Sequence, residues 1–204
     1  MGDRGLAQHL VIFARRPRLG VGKRRLAADI GNLAAWRFQR AALAILRREL
    51  ADDPRWTLWL AVTPDRPTAW TGDTLAIGQG RGDLGERLTR VAKGLPPGPV
   101  VILGSDAPQV RRDDVAEAFK ALGEADAVFG PAVDGGYWLV GLSRRQRHRP
   151  PFDRVRWSSA HALADTVAKL PVAKIRYLRT LEDVDDGASL ARLRSGALRP
   201  AVAL

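Results

Sequence analysis

The stretch AVFGPAVDGGYWLVGL, residues 127–142, decides the fold. Its two apolar runs, Ala127–Gly130 and Tyr137–Leu142, read as strands. The Pro/Asp/Gly/Gly segment between them has no room for a crossover helix, so the two strands are expected to run antiparallel. Elsewhere the spacing differs. Strands are predicted at His9–Ala14, Trp56–Val62, Leu75–Ile77, Val100–Leu103 and Ala173–Tyr177, each a short apolar run bounded by polar, Gly or Pro residues. Helices are predicted between them at Asn32–Leu50, Asp83–Leu95, Asp114–Leu122, Ser158–Leu170 and Asp186–Arg194. Asp83 with Glu86, and Asp114 with Glu117, stand at capping-box spacing, and Ser158 or Ser159 is the expected cap of the fourth helix. Such alternation predicts an α/β fold whose mostly parallel sheet is covered on both faces, with one antiparallel insertion.

Composition narrows the function classes. The 204 residues suffice for one sizeable core, and residues 1–204 are read as one domain. With no cysteine, disulfides and thiolate metal sites are excluded, and the three histidines lack helix-face ligand spacing. Any metal must therefore be held mainly by oxygen. No signal-peptide core or membrane-length apolar run stands out, so a cytoplasmic location is expected. The formal charge is +11, and arginine supplies 28 of the 33 basic residues. Most of that charge fits a solvated face. The first 25 residues are different, because Arg4, Arg15, Arg16, Arg18, Lys23, Arg24 and Arg25 face only Asp3 there. Residues Arg144–Arg149 read as an exposed loop. The stretch Ala197–Leu204 is apolar enough to pack on itself or on a partner, and the oligomeric state stays open.

Ligands of open α/β sheets bind beyond the carboxyl ends of the strands, which singles out four segments. Ala14–Leu26 (ARRPRLGVGKRRL) joins Gly20 and Gly22, which let backbone approach a ligand, to the cations Lys23, Arg24 and Arg25. It suits phosphate, with a solvated loop as the alternative, and it is not a P-loop. Gly104–Pro108 (GSDAP) puts Asp106 directly after a buried strand, as a Mg²⁺ ligand or as a turn cap. In Pro131–Trp138, Asp134 lies beside Gly135 and Gly136, a site or an ordinary hairpin turn. Leu181–Asp186 is an acidic cluster that could simply cap a helix through Asp185 or Asp186. Gly80–Gly85 (GRGDLG) also matches a dinucleotide fingerprint, although it follows a weak strand.

Taken together and in this order, Phe13–Leu26, Gln79–Leu88 (QGRGDLGERL), Leu103–Pro108, Phe129–Leu142, Trp157-Ser158 and Asp183-Val184-Asp185 resemble a bacterial family of glycosyltransferase-like proteins. That family is related to the nucleotide-diphospho-sugar transferases of the GT-A superfamily and, more distantly, to phospholactate and molybdenum-cofactor guanylyltransferases. The resemblance implies a Rossmann-like three-layer α/β/α sandwich. It implies a nucleotide over the first loop and the helix near Asp83, touching Ala14, Arg15, Gly20, Gly22, Lys23, Arg25, Gln79, Gly82, Asp83, Arg87, Ser105, Gly135, Gly136 and Tyr137. It makes Asp106, Asp134 and Lys23 the catalytic candidates, and Asp106, Asp183 and Asp185 the candidate ligands of Mg²⁺ or Mn²⁺. Two departures stand out. The family usually reads K-T-R-L where this chain has Lys23-Arg24-Arg25-Leu26, and Thr-Pro plus an acid where this chain has Asp186-Gly187-Ala188.

The expected activity is transfer of a nucleotidyl or glycosyl group, from a nucleotide or nucleotide sugar to an acceptor that the sequence does not identify. Two other readings compete. One is a nicotinamide-dependent oxidoreductase built on Gly80, Gly82 and Gly85. The other is a basic nucleic-acid-binding module using tryptophan platforms, disfavoured because Trp36 and Trp59 sit in apolar patterns and read as core. No specific nucleic acid is expected as a partner.

Overall fold

The computed structural model describes residues 7–65 and 70–196. Asp3, Arg4 and the apolar stretch 197–204 lie outside the described residues. Seven strands form one sheet: β1 (His9–Arg15), β2 (Thr57–Thr63), β3 (Leu75–Gly78), β4 (Val100–Gly104), β5 (Ala127–Pro131), β6 (Tyr137–Leu142) and β7 (Ile175–Tyr177), in the order β3-β2-β1-β4-β6-β5-β7. Every neighbouring pair is parallel except those of β6, which runs antiparallel to both β4 and β5. The expected insertion is therefore a single reversed strand wedged into a parallel sheet.

Period-two alternation sends neighbouring strand residues to opposite faces. Leu10, Ile12 and Ala14 of β1 join one apolar layer, and Val11 joins the other. The first layer packs Leu43, Leu46 and Leu50 of α2 (Asn32–Leu50) and Val115, Ala118 and Phe119 of α4 (Arg112–Ala121). The second packs Leu88, Val91 and Ala92 of α3 (Leu84–Gly94), with Leu163 and Val167 of α5 (Ala162–Ala168). The result is a three-layer α/β/α sandwich. A third cluster joins Leu26 of α1 (Arg24–Ile30), Phe38 of α2, Val184, and Leu190 of α6 (Gly187–Arg194). It anchors the C-terminal acidic segment beside the first loop.

Several local expectations change. Helix α1 has no counterpart in the sequence reading, because its single apolar anchor, Leu26, sits in an arginine-rich run. Helix α4 starts at Arg112, so Asp114 is not its cap. Asp114 lies one turn in, accepts the Arg111 backbone N–H at 2.8 Å, and pairs with Arg179 at 2.6 and 2.7 Å. Neither Ser158 nor Ser159 caps α5, which begins at Ala162. Ser158 adopts a left-handed φ of 56°, and the Ser159 hydroxyl donates to the Arg156 carbonyl. Asp83 and Glu86 do form the capping box of α3. The run 144–149 is not simply an exposed loop. Its Arg147 is buried and donates to the Leu95, Pro96 and Gly98 carbonyls at 2.6, 2.5 and 3.0 Å. Trp59 is half-buried and packs on the second apolar layer, Trp36 is half-buried, and Trp56 and Trp138 are buried. Among the described residues, no helix is long and apolar enough to cross a membrane.

Candidate functional site

The chain leaves β1 towards β2 on one side and reaches β4 on the other, which makes the β1/β4 boundary a topological switch point. The loops beyond the carboxyl ends of β1 and β4 carry Lys23 and Asp106, and these meet. The Lys23 ammonium lies 3.0 Å from Asp106 Oδ2 and 2.7 Å from Asp185 Oδ1, and donates to the Val184 carbonyl at 2.6 Å. Its side chain is only 6% exposed. Local backbone explains the placement. Gly20 and Gly22 have φ of 73° and 79°, and Lys23 itself is left-handed at 45°, so the chain turns sharply before α1 and brings the side chain inward. Arg25 holds the other Asp185 oxygen at 3.0 Å.

The acidic segment is fixed independently. Val184 is fully buried, and its N–H donates to the Asp106 carbonyl at 3.3 Å. Gln109 Nε2 donates to the Glu182 carbonyl at 2.7 Å, and Arg192 pairs with the Glu182 carboxylate. Asp186 caps α6 by accepting the Ser189 N–H at 2.8 Å, which resolves the choice between capping and site residues in this cluster. Asp186 serves the helix, while Asp183 and Asp185 face the loops of β1 and β4.

Two adjoining cavities open at the switch point. The first, about 610 Å³, is cationic, with Arg15, Lys23, Arg24, Arg25 and Arg87 on its walls. The second, about 400 Å³, carries Asp134, Asp183, Tyr137 and Trp157. Asp106, Asp185, Arg25, Ser105, Ser158 and Phe13 line both. Cations thus concentrate in the first cavity and acids in the second, with Asp106, Asp185 and Arg25 on the shared wall.

Electrostatics sharpen the picture. Burial works to lower the Lys23 ammonium, but Asp106 and Asp185 outweigh it and hold it above its usual range. Asp183 goes the other way. Burial, then the neighbouring Asp106 carboxylate, pushes its carboxyl up to about 7, with Lys23 opposing. Its buried Oδ1 has no hydrogen-bond partner among the described residues. A buried, unpaired carboxyl oxygen beside a second carboxylate fits a divalent cation, which prefers oxygen ligands. Among the described residues, however, no group of three His, Cys, Asp or Glu side chains is arranged to hold a metal ion. Burial, then repulsion from Arg15, lowers Arg87, whose guanidinium stacks over the Phe13 ring at 5.4 Å and whose Nε has no partner among the described residues. Buried Gln79, in the wall of the first cavity, donates to the Ala14 and Ala61 carbonyls at 3.0 and 2.7 Å, while its buried Oε1 has no partner among the described residues. Burial also raises the Tyr137 phenol, so it stays protonated.

Most residues marked by the sequence converge here. Arg15, Gly22, Lys23, Arg25, Gln79, Arg87, Ser105, Asp106 and Asp185 line the first cavity, and Asp134, Gly136, Tyr137 and Asp183 the second. Five do not line either. Ala14 is buried in the sheet and contributes its carbonyl to Gln79. Gly20 lies in an exposed turn. Gly82 and Asp83 belong to the α3 cap, where the Glu86 carboxylate lies against Gly82. Gly135, at φ of 85°, packs its Cα face on the Ala160 carbonyl. The glycines of the dinucleotide-like run also stay out of the cavities. They follow β3, an edge strand, and Gly85 packs on the Phe152 carbonyl. Gln39, Leu43 and Thr63 line the first cavity without having been marked, and Phe13, Arg24 and Ser158 were marked only within longer segments. Phe13 and Thr63 look like ordinary strand residues, and only their position at strand ends carries a signal.

Comparison with curated proteins finds no match. Among solved structures, a candidate nucleotide-diphospho-sugar transferase from Desulfovibrio desulfuricans G20 superposes with a TM-score of 0.88 at 28% identity, over 95% of this chain and 89% of that one. A CMP:2-keto-3-deoxy-manno-octonic acid synthetase complexed with CTP gives a TM-score of 0.58 at 13% identity, over 93% of this chain and 97% of that one. The molybdopterin-guanine dinucleotide biosynthesis protein A of Archaeoglobus fulgidus gives 0.55 at 10% identity, over 92% and 96%. These last two likenesses establish the shared fold alone. The family model described as "uncharacterized protein conserved in bacteria" (DUF2064) matches residues 42–159, more than half of the sequence, and the chain belongs to that family.

Proposed function

We propose that this chain is a transferase that moves a nucleotidyl or glycosyl group from a nucleotide or nucleotide sugar to an acceptor, with Mg²⁺ or Mn²⁺ as cofactor. The observation that carries the reading is the meeting of an arginine-rich cavity and an acid-bearing cavity at Asp106. The cationic cavity takes the phosphates. Arg87 is suited to this because it is desolvated, repelled by Arg15 and not ion-paired, so an incoming phosphate relieves it. Buried Gln79 holds the Ala14 and Ala61 carbonyls and so fixes the strand ends beneath the phosphates. The acceptor occupies the second cavity, where Asp134 orients its hydroxyl and receives its proton.

Asp106, Asp183 and Asp185 are the residues that would hold the divalent cation, which would stabilise the charge developing on the diphosphate. In nucleotidyl transfer, the acceptor oxygen bonds to the α-phosphorus, the α–β bridging P–O bond breaks, and pyrophosphate leaves. In glycosyl transfer, the acceptor bonds to the anomeric carbon, its bond to the β-phosphate oxygen breaks, and a nucleoside diphosphate leaves. In both, Lys23 and the arginines face the departing phosphates.

Support comes from the fold shared with the candidate transferase of Desulfovibrio desulfuricans and with the CTP-bound synthetase. A thermal-shift screen of nucleoside triphosphates and nucleotide sugars with Mn²⁺ tests the proposal, because a ligand of the native state raises its melting temperature. Pyrophosphate or nucleoside diphosphate among the products then distinguishes the two reactions. The absence of a shift with every such ligand would sink it.

A further inference from the structure

We propose that the Lys23 ammonium is a resident cation of this site, holding Asp106 and Asp185 in place until a divalent cation displaces it towards the phosphate cavity. The inference rests on reading the cleft as a metal–nucleotide site and adds a coupling between metal entry and release of the lysine. Three acceptors surround the ammonium: Val184 O at 2.6 Å, Asp185 Oδ1 at 2.7 Å and Asp106 Oδ2 at 3.0 Å. An ammonium has three donors, so its hydrogen bonding is saturated. It is buried, and it occupies the one point on which both carboxylates converge. Mg²⁺ binds oxygen at about 2.0–2.1 Å. At 2.7 and 3.0 Å the ammonium holds the two acids further apart than a metal would. This accounts for the absence, among the described residues, of an acid group drawn together enough to bind metal, while Asp183 Oδ1 stays unpaired nearby.

The two cations cannot share the position. A divalent ion gains more from two carboxylates than an ammonium does, and it also gains the free Asp183 oxygen. Lys23 lines only the phosphate cavity, whereas Asp106 and Asp185 line both, so that cavity is where the displaced side chain goes. The metal would then deliver a cation to the phosphates at the moment they need one.

The test uses Mn²⁺ alone, without nucleotide, so it can fail while nucleotide binding stands. Free Mn²⁺ is measured by electron paramagnetic resonance against wild type, Lys23→Met and Lys23→Met/Asp106→Asn. The expected result is at least tenfold tighter binding of one Mn²⁺ to the Lys23→Met variant, lost in the double variant. Equal or weaker binding, or no binding to either protein, overturns the proposal. A second measurement needs no variant. Brief acetylation of the wild type, read by mass spectrometry, should modify Lys23 slowly and several-fold faster with Mn²⁺, the other four lysines unchanged. Lys23 labelling that ignores Mn²⁺ overturns the proposal even if Lys23→Met does not fold.

Discussion

Lys23 Nζ stands 3.0 Å from Asp106 Oδ2, joining the loop after β1 to the loop after β4 across the switch point of the sheet. The contact spans two segments far apart in sequence, yet each is the immediate continuation of a central strand. Asp106→Asn tests what the carboxylate does. Lys23 keeps Asp185 and the Val184 carbonyl as partners, so the fold should survive. Transfer activity should fall at least a hundredfold, and the Mn²⁺-dependent part of any nucleotide thermal shift should vanish. Retained activity with an unchanged metal requirement would show that Asp106 has no part in the chemistry.

Arg87→Met separates binding from stability. In the free protein the guanidinium is desolvated, repelled by Arg15 and Arg90, and Nε has no partner among the described residues. Removing it should leave the melting temperature of the free protein unchanged or slightly higher, since burying an uncompensated charge is costly. Nucleotide affinity should drop roughly tenfold to a hundredfold, the equivalent of about 1.5–3 kcal/mol for a charged hydrogen bond. Calorimetry with the nucleotide found by screening reads the affinity, and scanning calorimetry the stability. A large loss of stability with unchanged affinity would make Arg87 a structural residue.

How much of this was legible in the sequence follows from what each feature depends on. Strands β1, β4 and β6 are apolar runs bounded by Gly, Pro or charge, so periodicity located them. The reversed strand followed from a linker too short for a crossover. The Asp83–Glu86 box was readable because both partners are local. Helix α1 was not, because its stability comes from packing Leu26 on Phe38 and Val184, residues distant in sequence. Arg147 looks exposed in the sequence for the same reason, since the carbonyls it satisfies end a helix some fifty residues away. Site acids were visible as acids at strand ends. Which of them converge depended on Val184 being buried and docking the C-terminal segment against Asp106, and no local pattern encodes that.

Asp183 predicts a pH dependence with a definite sign. Its folded carboxyl titrates near 7, above the ordinary value of 3.8. Between these values the unfolded chain has released a proton that the folded chain still holds. Stability from this group is therefore full below about pH 4 and is lost as pH rises to 7, with a maximal slope of about 1.4 kcal/mol per pH unit. Asp183→Asn should remove that slope, so that variant minus wild-type stability grows from pH 5 to pH 8 in metal-free buffer. Denaturant melts at both pH values measure it. A difference independent of pH would place the Asp183 titration outside this range.

Gly135→Ala tests whether the hairpin turn positions the acceptor side alone. Gly135 has φ of 85°, where a side chain is strained, and an added Cβ would come within 2.3 Å of the Ala160 carbonyl oxygen. Its own carbonyl accepts the Leu163 N–H at 3.1 Å, tying the turn to the start of α5. The next residue, Gly136, donates to Asp134 Oδ1 at 2.9 Å, so any shift of the turn moves Asp134. Alanine should cost about 1–3 kcal/mol, because the left-handed backbone and the close backbone contact are both penalised. The Lys23–Asp106 contact lies across the cleft in other loops. Nucleotide affinity should therefore stay within about twofold of wild type, while KM for the acceptor rises. If nucleotide affinity fell in step with acceptor affinity, the two cavities would behave as one site, and the division of labour between Lys23 and Asp134 would have to be abandoned.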